Sequence, residues 1–72
     1  MNEVISVLEQ IKPGFDYLNE KNLIYDEILT SFEIISLIPI LNEKFSVNIG
    51  VNDLIPENFE SAEAIYNLIK NK

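Results

Sequence analysis

One segment narrows the folds open to this chain more than any other: Thr30-Ser31-Phe32-Glu33, followed by an apolar run from Ile34 to Phe45. The first four residues have the form of a capping box. Thr30 is placed to accept the backbone N–H of Glu33, and the Glu33 carboxylate to reach back to the N–H of Thr30. The run behind it predicts a helix from about Ser31 to Phe45 that is apolar nearly all round: Phe32, Ile34, Ile35, Leu37, Ile38, Ile40, Leu41 and Phe45. A helix with so little polar face is central to a fold or keeps an apolar strip for partners. Pro39 lies inside it. A proline there removes the bond to the carbonyl of Ile35, at ~3 kcal/mol unless relieved, so a kink is expected.

The flanking segments supply helices to pack against it. Residues 2–11 place Val4, Ile5, Leu8 and Ile11 on one face, with Asn2 as a cap and Pro13-Gly14 as the stop. Residues 13–30 have no sustained period but many apolar side chains: Phe15, Tyr17, Leu18, Leu23, Ile24, Tyr25, Ile28 and Leu29. So long a connection is normally functional or pinned to the core, and these residues argue for pinning, with a helical turn near Asn19–Leu23. Residues 46–52 alternate like a strand at Val47, Ile49 and Val51, but no second strand is available to pair, so an extended loop is expected. Asp53–Ile55 has the makings of a short turn before Pro56. A last helix follows, capped by Ser61, with Glu63 and Lys70 suiting its dipole and Ala62, Ile65, Leu68 and Ile69 as its buried stripe. The expected architecture is all-α: one domain over residues 1–72, a small bundle of three main helices plus one short helix, with a long first loop.

Composition then limits the chemistry. The chain has 72 residues, no His and no Cys. The usual nucleophile–base pairs and zinc ligand sets cannot be assembled. A chain this short buries only about 60% of its unfolded surface, which leaves little room for a cleft with facing carboxylates. An enzyme is not expected. Nor is a calcium loop, since Asp26-Glu27 lacks the alternating oxygen ligands around a glycine. No apolar stretch reaches the length of a membrane span, and the N-terminus lacks the basic region of a signal peptide, so a cytoplasmic location is expected.

Charge points toward protein partners. The net charge is −7, and it is concentrated. Residues 25–63 hold Asp26, Glu27, Glu33, Glu43, Asp53, Glu57, Glu60 and Glu63 against Lys44 alone, whereas acids and lysines balance elsewhere. Nucleic acid would be repelled, and Arg is absent. A protein with a basic surface would be attracted. The plainer role for these acids is solubility.

Ser31 is the candidate site residue. A phosphate esterified to its hydroxyl would lie at a helix N-terminus, where free N–H groups and the dipole favour negative charge. Taken by itself, the residue reads more simply as a first-turn serine beside Thr30. The wider pattern, from Asn22 through Thr30-Ser31-Phe32-Glu33 to Ile38, resembles the phosphopantetheine attachment region of acyl carrier proteins. That family reads loop, Gly-x-x-Asp-Ser-Leu (or Phe), then an apolar and acidic helix. The later residues Leu41, Glu43, Phe45, Val47, Ile49, Asp53-Leu54-Ile55-Pro56-Glu57-Asn58-Phe59, Ser61 and Ile65 are similar to the second half of stand-alone carriers. The likeness spans nearly the whole chain.

The resemblance implies that a phosphopantetheinyl transferase moves 4′-phosphopantetheine from coenzyme A onto Ser31. It further implies that the arm's thiol carries an acyl or aminoacyl group as a thioester. The implied partners are that transferase, an activating ligase and downstream acyl-processing enzymes with basic docking surfaces. They would meet Phe32, Glu33 and Glu43 on the helix that begins at Ser31. Three residues depart from the family pattern: Glu27 stands at its glycine, Thr30 at its aspartate, and Pro39 inside the helix. The first two leave room for an alternative, a carrier-like but unmodified protein–protein interaction module. Cargo is open among fatty acyl, polyketide, D-alanyl and amino-acid groups, although the Gly-Gly-x-Ser of peptidyl carriers is absent.

Overall fold

The capping box and the apolar run behind it form the longest helix of the molecule. In the computed structural model, which describes residues 1–72, α1 spans Asn2–Ile11, α2 Ser31–Phe45, α3 Pro56–Phe59 and α4 Ala62–Lys70. A single 3-10 turn, Val51–Asp53, lies between α2 and α3, and there are no strands. The all-α bundle of three main helices and one short one is therefore present, with the long first loop between α1 and α2.

α1 covers residues 2–11 as expected, but its cap is not Asn2. Met1 is the N-cap and makes no side-chain cap bond, while Asn2 is already helical. Val4, Val7 and Leu8 are its buried residues, and Ile5 and Ile11 pack at the edge of the core. The helix stops at Lys12, and the chain turns through Pro13 and Gly14, whose φ of +100° suits a residue without Cβ. The Tyr17 hydroxyl then donates to the carbonyl of Lys12, tying the loop back to the helix end. Burial of that phenol, helped by the nearby Glu9 and Glu33 carboxylates, raises its pKa.

The long loop is pinned, but by half of its apolar residues. Tyr17, Leu23, Ile28 and Leu29 are buried in the core, whereas Phe15, Leu18 and Tyr25 are exposed. The turn expected at Asn19–Leu23 is not helical. Hydrogen bonds from Asn19 and Glu20 to the carbonyl of Asp16 close one turn, and those of Asp26 to Asn22 and Glu27 to Ile24 close another. Leu23 donates to the carbonyl of Glu60 at 2.9 Å, and Leu29 to that of Leu23 at 2.9 Å. These two bonds fasten the end of the loop beside α3.

α2 runs without interruption through Pro39. Pro39 is exposed and so is Ile35, whose carbonyl loses its helical partner. Water can take that carbonyl, which lowers the cost of the proline. After Phe45 the chain leaves through Ser46 in the left-handed conformation, φ 54° and ψ 44°. The alternating segment that follows is extended and unpaired, as expected. Its substitute for a second strand is the Asn42 side chain, which accepts the Ile49 N–H at 2.8 Å and donates to its carbonyl at 3.4 Å.

The turn expected at Asp53–Ile55 falls two residues earlier, because the Asp53 carboxylate caps it from behind, accepting the N–H of Gly50 at 3.0 Å. The same carboxylate pairs with Lys72 at 2.6 Å, and the Gly50 bond and then this lysine hold its pKa below the ordinary value. Pro56 opens α3, where a missing N–H does no harm. Ser61 caps α4 as expected, accepting from Ala64 at 3.0 Å. α1 packs against both α2 and α4, and α3 against α4. Around Leu8, Leu37, Leu41, Phe59 and Ile65, all almost wholly buried, these contacts close one core. The flank of α2 nearest α3 stays open.

Candidate functional site

That open flank is where Ser31 lies. Thr30, in extended conformation, is the N-cap of α2, and Ser31 is the first helical residue, exposed to solvent. The capping box is present. On its carboxylate side Glu33 accepts the Thr30 N–H at 2.8 Å and also the Thr30 hydroxyl. These bonds, the hydroxyl's first, lower the pKa of Glu33. The cap uses Thr30 and Glu33 and leaves the Ser31 hydroxyl free for outside chemistry.

Beside Ser31 opens a groove of about 510 Å³. One wall comes from the first loop and the start of α2, through Ile24, Leu29, Ile34 and Ile35. The other comes from Leu54, Ile55, Pro56 and Phe59. Glu27 and Thr30 complete the rim with Ser31. Ile35, Leu54 and Ile55 keep much of their surface exposed, so the lip is greasy as well as the floor. The residue before a proline is pushed to extended backbone, and Ile55 accordingly stands outside both the 3-10 turn and α3.

Glu27 occupies an unusual conformation. Its φ is +59°, in the left-handed region that glycine adopts without cost and a side chain does not. The buried neighbours Leu23, Ile28 and Leu29 dictate this bend.

The partner-facing residues named from sequence are dispersed. Phe32, next to Ser31, is 77% exposed and offers a bare aromatic contact. Glu33 is occupied by the cap. Glu43 is exposed near the far end of α2, beside a shallow depression shared with Val7, Gln10 and Ile40 of the α1–α2 seam. At 1.5 Å per residue it is about 18 Å along the helix from Ser31. The sequence reading passed over the wall formed by Leu54 and Ile55. Its only trace there was a pair of large apolar residues directly before a proline, outside any helical period.

Comparisons with protein-family models, with curated proteins and with solved structures match this chain to none of them. What the site offers is one free hydroxyl at a helix start, at the mouth of an apolar groove lined by a single acid.

Proposed function

We propose that the chain is an acyl or aminoacyl carrier, loaded on Ser31 through a 4′-phosphopantetheine arm. The observation that carries this reading is the exposed Ser31 hydroxyl at the first turn of α2, opening onto the groove. In the loading step the Ser31 oxygen attacks the phosphorus that bears the pantetheine in coenzyme A. A P–O bond forms, the P–O bond to adenosine 3′,5′-bisphosphate breaks, and the serine proton passes to a base of the transferase. A phosphodiester on Ser31 would be carried at the helix start, where free N–H groups would favour its charge. The arm fits the residues present: nothing in the fold covers the hydroxyl, and the neighbouring walls are apolar. The arm contributes a thiol, which the chain lacks, and the chain contributes position and surface. The chain itself catalyses nothing in this scheme.

Partners would be the transferase, an activating ligase and acyl-processing enzymes. They would approach in the cytoplasm with basic surfaces, across Phe32 and the acids of residues 25–63. Incubation of the purified chain with coenzyme A and several broad transferases should add one phosphopantetheine mass. The Ser31→Ala variant should add none. If the natural chain gains no mass with any of them, the reading is wrong.

A second reading has its own observation. Residue 30 is a threonine whose hydroxyl is turned into the cap with Glu33, and it puts no carboxylate directly before Ser31. This favours an unmodified module that binds proteins through the same surface. An inert natural chain that became a substrate on Thr30→Asp substitution would support it.

A further inference from the structure

We infer that Glu27 is a specificity-determining residue for whatever enzyme modifies Ser31, presenting its carboxylate to a cationic group of that enzyme. The inference rests on the carrier reading and goes beyond it. Three observations meet at this residue. The first is its backbone: φ is +59°, in a turn held by buried Leu23, Ile28 and Leu29. A glycine would sit there without strain, and strain kept at an exposed position asks for an explanation.

Second, nothing inside the fold explains a glutamate at this bend. The Glu27 side chain is exposed, and it belongs to neither of the two ion pairs, Lys21–Glu63 and Lys72–Asp53. The side-chain hydrogen bonds of the first loop and of the α2 cap involve Asp16, Glu20 and Glu33 instead. Third, Glu27 is the one charged residue on the rim and walls of the groove that Ser31 opens into. The nearest other acid on α2, Glu33, is already committed to Thr30. An approaching enzyme therefore meets an uncommitted negative charge within the lining of the groove itself, and that charge is Glu27. A cation placed to meet it would be brought to Ser31 and no further along the surface. As an exposed pair, its contribution belongs in encounter and KM and is screened by salt.

The test combines transferase kinetics with thermal unfolding on the full chain, comparing natural protein with Glu27→Gln, Glu27→Gly and Glu3→Gln. Glu27→Gln should raise KM about two- to fivefold with kcat little changed, and the gap should shrink as salt is added. Glu27→Gly should lose the same factor in KM while its Tm rises by about 4–8 °C, because the strain is gone. Glu3→Gln removes an equal charge from the exposed start of α1 and should leave KM unchanged. Unaltered KM in both Glu27 variants, an equal effect from Glu3→Gln, or no gain in Tm for Glu27→Gly would each overturn the inference with the carrier reading intact. A natural chain that accepts no phosphopantetheine at all would instead overturn the carrier reading, and this inference with it.

Discussion

The two connections that flank α2 are both irregular, yet different forces hold them. The first, from Lys12 to Thr30, is fastened by buried side chains, with Tyr17, Leu23, Ile28 and Leu29 set into the core. The second, from Ser46 to Ile55, buries only Ile49 and is fastened by polar clamps. Asn42 holds Ile49, Asp53 holds Gly50, and the Asn58 amide donates to the carbonyl of Asp53 at 2.8 Å. Apolar burial is non-directional and tolerates a strained bend such as that at Glu27. Polar clamps fix backbone geometry and leave apolar side chains free, so Val51, Leu54 and Ile55 stay in water. The groove forms where the two kinds of connection face each other.

Substitutions should separate the two kinds. The largest effect is expected from Leu23→Ala, which empties a wholly buried site under the first connection. A loss of about 2–5 kcal/mol, read from the urea midpoint, is a large share of a small domain's stability. Asn42→Ala comes next. It strips the Ile49 N–H of its partner and should cost about 1–3 kcal/mol. Its signature is local, with faster hydrogen exchange at the Ile49 amide and unchanged exchange in α1. Equal loss of protection in both places would mean that the second connection is not an independent clamp.

The smallest effect is expected from pH, at the cap between the two. Hydrogen bonds from Thr30 lower the Glu33 pKa in the folded state. The resulting stability is fully present above the ordinary glutamate value of about 4.3 and is lost as pH falls through the lowered folded value. Natural protein and Glu33→Gln should therefore differ most in Tm near neutrality, and the gap should shrink as pH falls below the ordinary glutamate value and close once it passes the lowered folded value. Asp53 adds to the acid sensitivity of the natural chain in the same direction, through its bonds to Gly50 and Lys72. A constant gap from neutral to acid pH would show that the charge of Glu33 contributes nothing to the cap.

Much of the fold was legible because it rests on neighbours in sequence. The limits of α2, its box and the Ser61 cap follow from side chains three or four residues apart, and those distances are the same in any helix. Ser31 could be located for the same reason. Which apolar residues of the first loop are buried was not legible, since Leu18 and Leu23 look alike until Glu60, just past α3, supplies the carbonyl that seats Leu23. The second wall of the groove was equally hidden, because it is made of residues some 20 positions from Ser31 in the chain.

By itself, then, the sequence determined the three main helices, the caps at Thr30 and Ser61, and a chain that has neither His nor Cys. Tertiary structure alone decided that Glu27 is bent and uncommitted, and that Leu54 and Ile55 line the groove beside the serine. The physical reason is range: hydrogen bonds within one helical turn are written in adjacent residues. A groove and its charge depend on which distant segments happen to meet, and only packing sets that.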